Sequence, residues 1–423
     1  MRAAFAEVDI TPPPGTAKAG WLIEIVPEGV LDPLYSRIAI IEADDSRAAF
    51  INLDTGAVDE ETTAEIREAI ADRCDFPGHN VMVSATDNHA GPAVYSMGDV
   101  QRDEEYVADI AGRIADAFAE ALDNLQEAEI GFGWTFDFDI AHNRRIRFRD
   151  GIVRTHGTFK DRLALCFDGP IDPEVAVIAV QGVDKTPLGL LSNYACRAGH
   201  HGGEENFSSG YPGALAAEMR DRGWPVTIFL NGCTGNMHYN DPAHPEVSRS
   251  KEDVANLLAD GISSVLENID FSPLEKLDVT SRTIELPFRE PTQEEIEGTR
   301  PGTQRFVDPE VYERNMADLL QFIEDMGTQP AELQVIRLDN WVVAAIPGGP
   351  FAEFGLRVKE NTWPIHAMLV SYSNGHLGYI PERAAFDRGG YETTFMMGSR
   401  LAPEAADILS DEITSLIKEG SEI

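Results

Sequence analysis

The sequence predicts an α/β fold with a mixed, largely parallel sheet flanked by helices. Apolar strand-like segments recur along the 423 residues, 43% of which are hydrophobic. Most of these segments are continuously apolar rather than alternating, as is typical of strands covered on both faces. Amphipathic helical segments lie between them. This alternation is typical of α/β proteins, and the chain is long enough to bury a large core.

The strand-like segments follow one another in a regular order. They are SRIAIIEAD (36–44), AAFINLD (48–54), NVMVSAT (80–86), EVAVIAVQG (174–182), LGLLSNYAC (188–196), VTIFLNGC (226–233), AELQVIRLDNWVVAAIPG (331–348) and AMLVSYSNG (367–375).

The helical segments show apolar residues at helical spacing, and the first begins with acidic residues, which favour a helix N-terminus. They are DEETTAEIREAIADRC (59–74), DEEYVADIAGRIADAFAEALDNL (103–125), YPGALAAEMRDRGW (211–224), SKEDVANLLADGISSVLENI (250–269), ERNMADLLQFIEDMG (313–327) and APEAADILSDEITSLIKEG (402–420).

Residues 130–165 break this pattern. The segment alternates, is rich in aromatic residues and contains Asp150–Gly151, a hairpin signal. It predicts an antiparallel excursion. No internal repeat or clean linker divides the chain, so we expect one domain over residues 1–423.

The composition limits the possible partners. The net charge is −38 and the sequence pI is about 4.5, with 7 Lys against 27 Arg. Such a surface repels nucleic acid and anionic membranes, so a small molecule is the expected partner. Salt adaptation is favoured over an ordinary acidic protein on composition. The oligomeric state cannot be read from these features.

The sequence shows no sign of membrane insertion or of disulfide bonding. It contains no apolar run long enough to cross a membrane and no signal-peptide core at its start, so a cytoplasmic location is expected. The four cysteines form no C-x-x-C pair, which argues against a zinc ribbon or a redox motif.

Polar side chains cluster where several of the strand-like segments end. Each alone is more typical of a polar turn than of a ligand. Ligands of open α/β sheets bind beyond the carboxyl ends of strands, so their joint placement predicts one shared pocket. The residues are Asp87, His89, Arg197, His200, His201, Asn236, His238 and His376.

These motifs resemble those of the neutral/alkaline, non-lysosomal ceramidases and their ceramidase-like relatives. The resemblance extends in family order from VDITPPPGTAKAGW to GGYET. SATDNHAGP is similar to the family's Ser-Ala-Thr-His-Thr-His-Ser-Gly-Pro, and NYACRAG to its Asn-Tyr-Ala-Cys-His-Pro-Thr. FLNGCTGNMHYNDP resembles the glycine-rich nucleophile loop, and YSNGHLGYIP resembles Asn-x-Tyr-x-Gly-Tyr-x-Pro. The resemblance implies a single ceramidase-like catalytic domain without the C-terminal immunoglobulin-like domain of longer members.

The resemblance also implies amide hydrolysis with a zinc ion held by two His, one Glu and one Tyr. This chain departs from the family at each ligand position, where it has Asp87, Arg197, Gly349 and His376. His238 stands at the place of the nucleophilic serine. The second His of the first motif survives as His89, and the substrate-binding Arg survives as Arg144.

Three outcomes remain open for such a site. A divalent metal, zinc among the candidates, could be retained by Asp87, His89, His376 and His200 or His201. Alternatively, the metal is lost and Arg144 and Arg197 hold an anion while histidines perform acid–base, lyase or isomerase chemistry. The third outcome is a non-catalytic binder.

The sequence thus predicts a ceramidase-like hydrolase that acts on a C–N or related bond of a small anionic substrate other than ceramide. The candidate residues fall into three groups. They are His89, Arg144, Arg197 and His238 for catalysis; Asn143, Asn236 and Tyr379 for substrate binding; and Asp87, His200, His201 and His376 as metal ligands.

Overall fold

The computed structural model describes residues 1–420, and within them it has eight α-helices and 22 β-strands. The helices are α1 (Glu60–Arg73), α2 (Glu104–Asp123), α3 (Gly210–Asp221), α4 (Lys251–Leu266), α5 (Gln293–Glu297), α6 (Pro309–Met326), α7 (Ala352–Thr362) and α8 (Ala405–Lys418). The strands are β1 (Arg2–Asp9), β2 (Gly29–Val30), β3 (Tyr35–Ala43), β4 (Ser46–Leu53), β5 (Val81–Ala85), β6 (Gln126–Phe136), β7 (His142–Asn143), β8 (Arg145–Phe148), β9 (Val153–Thr155), β10 (Ala164–Phe167), β11 (Glu174–Gly182), β12 (Pro187–Tyr194), β13 (Asn206–Phe207), β14 (Thr227–Asn231), β15 (Met237–His238), β16 (Phe271–Ser272), β17 (Leu277–Pro287), β18 (Thr328–Leu338), β19 (Trp341–Ala345), β20 (Gly349–Pro350), β21 (His366–Val370) and β22 (Tyr379–Ile380).

Two sheets form the centre of the molecule. The larger has the order β14-β12-β11-β6-β1-β3-β4-β5, and β16 also pairs with β6. The smaller has the order β17-β18-β19-β21. Their facing side chains share one apolar core, which includes Ile41, Ile178 and Ile228 of the larger sheet and Ile336 and Met368 of the smaller.

Helices cover the outer face of each sheet. α1 and α2 pack on the β3–β5 half of the larger sheet, and α3 and α4 pack on its β11–β14 half. α7 and α8 cover the smaller sheet. The four layers are therefore helices, sheet, sheet and helices.

The sequences at the helix N-termini explain where two long helices begin. The side chain of Asp59 accepts a hydrogen bond from the amide of Thr62 at the start of α1, and Asp103 does the same for Tyr106 at the start of α2. Both caps are followed by acidic residues, which stabilise the positive end of the helix.

The α/β class with a mixed sheet flanked by helices is confirmed, but the balance of strand directions differs from the prediction. Only β12–β14 and β4–β5 run parallel in the larger sheet. The hairpins β3–β4 and β11–β12 have short turns that use positive φ at Asp44 and Lys185. The strands are continuously apolar because a second sheet covers one face and helices cover the other. Burial on both faces therefore does not distinguish parallel from antiparallel pairing.

The predicted antiparallel excursion begins later than expected. β6 lies in the centre of the larger sheet, between β11 and β1. Only the following segment leaves that sheet, where β10, β8 and β9 form an antiparallel sheet and β7 pairs with β15. Among residues 1–420, no helix combines the length and apolar character needed to span a membrane.

Candidate functional site

The ends of strands from both sheets meet at one side of the molecule. The segment after β21 contacts the end of β5, where the amide of Ala85 donates to the carbonyl of Tyr372 (3.1 Å). It also contacts the end of β14, where the amide of Ser371 donates to the carbonyl of Asn231 (2.9 Å). β7 pairs with β15, and just beyond this pair the amide of Arg144 donates to the carbonyl of Asn236 (2.9 Å). The strand-end segments therefore converge, as the sequence predicts.

A cavity of about 150 Å³ lies at this convergence. Seven of the residues singled out in the sequence line it together. They are Asp87, His89, Arg144, Arg197, His238, His376 and Tyr379.

Arg197 is the central charged group of the cavity and is only 6% exposed. Its Nε donates to His89 Nε2 (3.0 Å), and its Nη2 also contacts that nitrogen. Nη2 lies 3.5 Å from Asp87 Oδ1, and Nη1 donates to the Tyr379 hydroxyl (2.9 Å). The guanidinium thus lies between Asp87, His89 and Tyr379, and the neighbouring Asp87 raises its pKa despite burial.

Arg144 approaches the same phenol from the other side. Its Nη2 donates to the Tyr379 hydroxyl (3.2 Å), and its Nε donates to Glu392 Oε1 (2.8 Å). The other oxygen of Glu392 accepts from Arg145 (2.7 Å). Burial alone would raise the pKa of Glu392, but Arg144 and Arg145 outweigh it and lower that pKa to about 2. Glu392 is therefore a permanent anion behind the cavity.

Two histidines have hydrogen bonds that define their tautomers. His238 Nδ1 accepts from the amide of Asn240 (3.0 Å), and burial followed by His156 lowers its pKa well below the usual value. Its proton therefore lies on Nε2, which faces Gly199. His89 Nε2 accepts from Arg197, and burial together with Arg197 lowers its pKa. Its proton lies on Nδ1.

Two further histidines face the cavity with free ring nitrogens. Burial, and then Arg144, lower the pKa of His156 to about 4. Burial, and then Arg400, lower the pKa of His376 to about 3. Within residues 1–420, neither ring makes a hydrogen bond to the protein. Both imidazoles are neutral near pH 7 and can accept a proton.

Asp87 has one oxygen without a partner. The residue is 2% exposed, and its Oδ1 lies near His89 (3.3 Å) and Arg197 (3.5 Å). Oδ2 is buried and accepts no hydrogen bond within the described part of the chain. Such an oxygen is costly to bury, so a ligand is a natural source of its missing donor.

Three residues at the cavity have left-handed backbone conformations. φ is +58° at Asp87, +59° at His156 and +53° at Tyr372. This region is uncommon for residues other than glycine, and strained residues of this kind cluster at functional sites. The strain supports the assignment of this cavity as the site.

Asn143 and Asn236, the other two substrate-binding candidates, do not line the cavity. Asn143 Oδ1 accepts from the amide of Arg145, and Nδ2 donates to the carbonyl of Pro170 (both 3.0 Å). Asn236 Oδ1 accepts from the amide of Ala352 (2.9 Å), and Nδ2 donates to Glu353 (2.8 Å). Both amides hold backbone segments in place, so neither is free to meet a ligand.

His200 and His201 also lie away from the cavity. His200 stacks on Tyr239 with ring centroids 3.8 Å apart and contacts the carbonyl of Arg249 (3.2 Å). His201 contacts Glu204 (2.9 Å) in the same surface loop. The structure does not bring them together with Asp87 and His376 as a group of metal ligands.

The aromatic wall of the cavity and His156 were not identified from the sequence. His156 follows β9 and precedes a glycine, the same strand-end signal that marks the other residues, but β9 is too short to stand out. The aromatic residues come from distant loops and carry no local signal. They are Trp21, Tyr95, Phe306, Tyr372 and Tyr391.

The metal ion implied by the resemblance does not fit these residues. Arg197 already contacts the nitrogen of His89 and the carboxylate of Asp87 that a metal would need, and a protonated guanidinium cannot act as a ligand. At Gly349, an added Cβ would lie 2.4 Å from the hydroxyl of Tyr372, so a ligating side chain there would require Tyr372 to move. No group of three His, Cys, Asp or Glu positioned to hold a metal occurs in residues 1–420.

Two solved structures share this fold. A neutral ceramidase from Pseudomonas aeruginosa matches with a TM-score of 0.74 and 15% identity, over 98% of this chain and 74% of the other. A structure described as a ceramidase complexed with C2 matches over the same shares, with a TM-score of 0.75 and 14% identity. No protein-family model and no curated protein matches the sequence. The fold implied by the resemblance of the sequence motifs is therefore confirmed. At identities of 15% and 14%, the matches show the fold alone.

Proposed function

We propose that the chain is a hydrolase that cleaves an amide bond of a small anionic substrate in this cavity, without a metal ion. One observation carries the proposal. Arg144 Nη1 makes no hydrogen bond to the described protein, and Arg197 Nη1 uses only one of its two hydrogens, on Tyr379. Both side chains line the cavity. Together they offer an acid group two buried, charged donors.

The electrostatics of the site favour an anion although the whole chain is strongly acidic. Two guanidinium groups, Arg144 and Arg197, line the cavity with one carboxylate, Asp87. Outside the lining, Glu392 pairs with Arg144 and Arg145, and Asp168 also pairs with Arg145. A cavity lined by more guanidinium groups than carboxylates favours an anion, although the chain has a net charge of −38. One charge pair at 4 Å contributes about 4 kcal/mol at an effective dielectric constant near 20.

The neutral histidines suit amide hydrolysis. In the proposed reaction, His156 accepts a proton from a water molecule that attacks the carbonyl carbon, and the Nε2–H of His238 donates to the carbonyl oxygen as negative charge develops there. His156 returns the proton to the departing nitrogen as the C–N bond breaks. The rings of His156 and His238 are in contact, with centroids 5.0 Å apart. An acid group beside Arg144 offsets the charge that lowers the pKa of His156 and so makes it a better base.

The size of the cavity argues against ceramide. A cavity of about 150 Å³ is comparable with engineered cavities of about 150 Å³ that hold benzene. A small amide with an acid group fits within this volume, whereas two long acyl chains exceed it and would have to extend out of the cavity.

Proton transfer without hydrolysis is the second candidate, because no Ser, Thr, Cys or Lys among residues 1–420 lines the cavity as a nucleophile. In such an isomerase or lyase, His156 or His376 would remove a proton from a carbon next to the bound acid group, and Arg197 would stabilise the resulting charge.

A panel assay tests the proposal. Small amides with an acid group are incubated with the pure protein and a strong chelator, and the released amine is measured. We expect turnover in chelator that falls at least about 100-fold in Arg197→Ala and His156→Phe. Turnover that disappears in chelator and returns with a divalent metal would refute the metal-free site. Formation of unsaturated or rearranged acids without amine would favour the second candidate.

A further inference from the structure

We infer that Asp87 is a specificity-determining residue that selects N-acyl α-amino acids, in which the amide N–H is attached to the carbon that carries the acid group. The inference rests on the proposed function and names its substrate class. It follows from the unpartnered oxygen of Asp87 and from the way that Arg197 links this oxygen to the anion site.

Asp87 Oδ2 needs a hydrogen-bond donor that the protein does not supply. Within residues 1–420 no donor reaches it, although His89 and Arg197 both lie beside Oδ1. Asp87 lines the cavity, so a ligand there can approach it. A buried carboxylate oxygen accepts hydrogen bonds only, so the ligand must present an N–H or O–H group.

The donor group and the acid group of the ligand must be close together. Arg197 contacts Asp87 through Nη2 and the Tyr379 hydroxyl through Nη1, and Arg144 donates to the same hydroxyl. The two nitrogens of Arg197 belong to one rigid, planar group. An acid group on Nη1 therefore lies next to the position that a donor to Asp87 must occupy, and a one-carbon separation fits this arrangement.

The donor to Asp87 Oδ2 is expected to be an amide N–H rather than a hydroxyl, because the proposed reaction cleaves an amide bond. In an N-acyl α-amino acid the same nitrogen donates to Asp87 and belongs to the C–N bond to be cleaved. Asp87 then orients the amide while the acid group is held by the arginines. An ester of an α-hydroxy acid lacks this hydrogen and leaves Oδ2 without a partner, which a site with a buried acceptor rejects.

The test uses three related probes and binding calorimetry at neutral pH. N-acetylglycine has the acid group and the N–H, N-acetyl-N-methylglycine lacks only the N–H, and N-acetylglycinamide lacks only the charge. We expect wild-type protein to bind N-acetylglycine at least about 10-fold more tightly than its N-methyl analogue. Asp87→Asn presents an NH₂ group in place of Oδ2, so the preference should fall to less than about 2-fold.

The outcomes separate this inference from the proposed function. If N-acetylglycine and its N-methyl analogue bind equally well and both more tightly than N-acetylglycinamide, the anion site stands and the role of Asp87 is refuted. If the same N–H preference persists in Asp87→Asn, the role of Asp87 is also refuted. If no charged probe binds, the proposed function fails as well. Because the comparison of probes in the wild type needs no mutation, it remains decisive even if Asp87→Asn does not fold.

Discussion

At the scale of single residues, the site depends on buried charges that are neutralised by specific partners. Glu392 is fully buried and accepts hydrogen bonds from Arg144, Arg145 and Thr155. Arg144 therefore has Glu392 as its carboxylate partner, while Arg145 pairs with both Glu392 and Asp168. A buried ion pair of this kind adds little net stability, but the loss of one partner leaves an uncompensated charge.

Replacement of Glu392 with Gln should lower the free energy of unfolding by about 3–5 kcal/mol, because buried Arg144 loses its carboxylate partner and Arg145 keeps only Asp168. Urea unfolding measures the change. Glu68→Gln on the exposed face in the middle of α1 is the matched control and should change stability by less than about 0.5 kcal/mol. Equal effects of the two substitutions would show that Glu392 does not stabilise this charge network.

His156 should make the protein sensitive to mild acid. Its pKa is lowered to about 4 in the folded state from an ordinary value of 6.5. Between these pH values the unfolded chain binds the additional proton, so the free energy of unfolding falls as the pH decreases from 6.5 to 4, by up to about 1.4 kcal/mol per pH unit. We expect a shallower decrease in His156→Phe. Parallel curves of unfolding free energy against pH for the two proteins would contradict the assignment.

At the scale of structural elements, a buried lysine holds one wall of the cavity. Lys18 is 1% exposed and donates to the carbonyls of His201 (2.9 Å), Glu204 (2.8 Å) and Asn206 (3.1 Å). Burial lowers its pKa to about 8, so it remains mostly protonated at neutral pH. The loop that it holds includes Gly202, where an added Cβ would lie 2.9 Å from the side chain of His89. Lys18 thus fixes a loop that contacts the site.

Replacement of Lys18 with Met should release this loop, because three carbonyls lose their donor. We expect a loss of at least about 2 kcal/mol in stability and faster hydrogen exchange in residues 199–207, measured by mass spectrometry. Lys185→Met in the exposed β11–β12 turn is the control. Unchanged exchange in residues 199–207 would show that other contacts hold the loop.

Some of the structural elements and the site residues that follow them could be predicted from the sequence, and others could not. Most of the long strands and helices were predictable because their signals are local, but β1, β17 and α7 were not predicted. Asp87, Arg197 and His376 were identified because each follows a long apolar segment. Asn236 has the same signal, yet its amide caps the start of α7, and no local pattern distinguishes the two roles. The packing of two sheets against each other could not be predicted from the sequence. A strand face is equally apolar whether a second sheet or a helix covers it.

At the scale of the whole molecule, the distribution of charge is uneven. The net charge is −38, yet the residues that line the cavity include two guanidinium groups and one carboxylate. Repulsion among surface carboxylates and the proposed attraction of an anion into the cavity would therefore act in the same protein. Salt adaptation, predicted from composition, depends on the first of these effects and stays a prediction.

The free energy of unfolding should rise as KCl is increased from 0.1 to 1 M, because the Debye length falls from about 10 Å to about 3 Å and repulsion among surface carboxylates is screened. Urea unfolding at each salt concentration measures the effect. A decrease in stability with salt would show that surface ion pairs outweigh the repulsion and that the composition is not a salt adaptation.

The guanidinium of Arg197 contacts the His89 nitrogen and the Asp87 carboxylate that a metal ion would need, which affects how the site is assembled. A catalytic ion must be delivered to a newly made protein, competes there with similar ions and can be withdrawn when its supply falls. The positive charge between Asp87 and His89 instead belongs to an arginine side chain, so every translated chain contains it. In the metal-free site that we propose, no ion has to bind after the chain folds. Its maturation would require no delivery system, and no wrong ion could be loaded where the guanidinium lies.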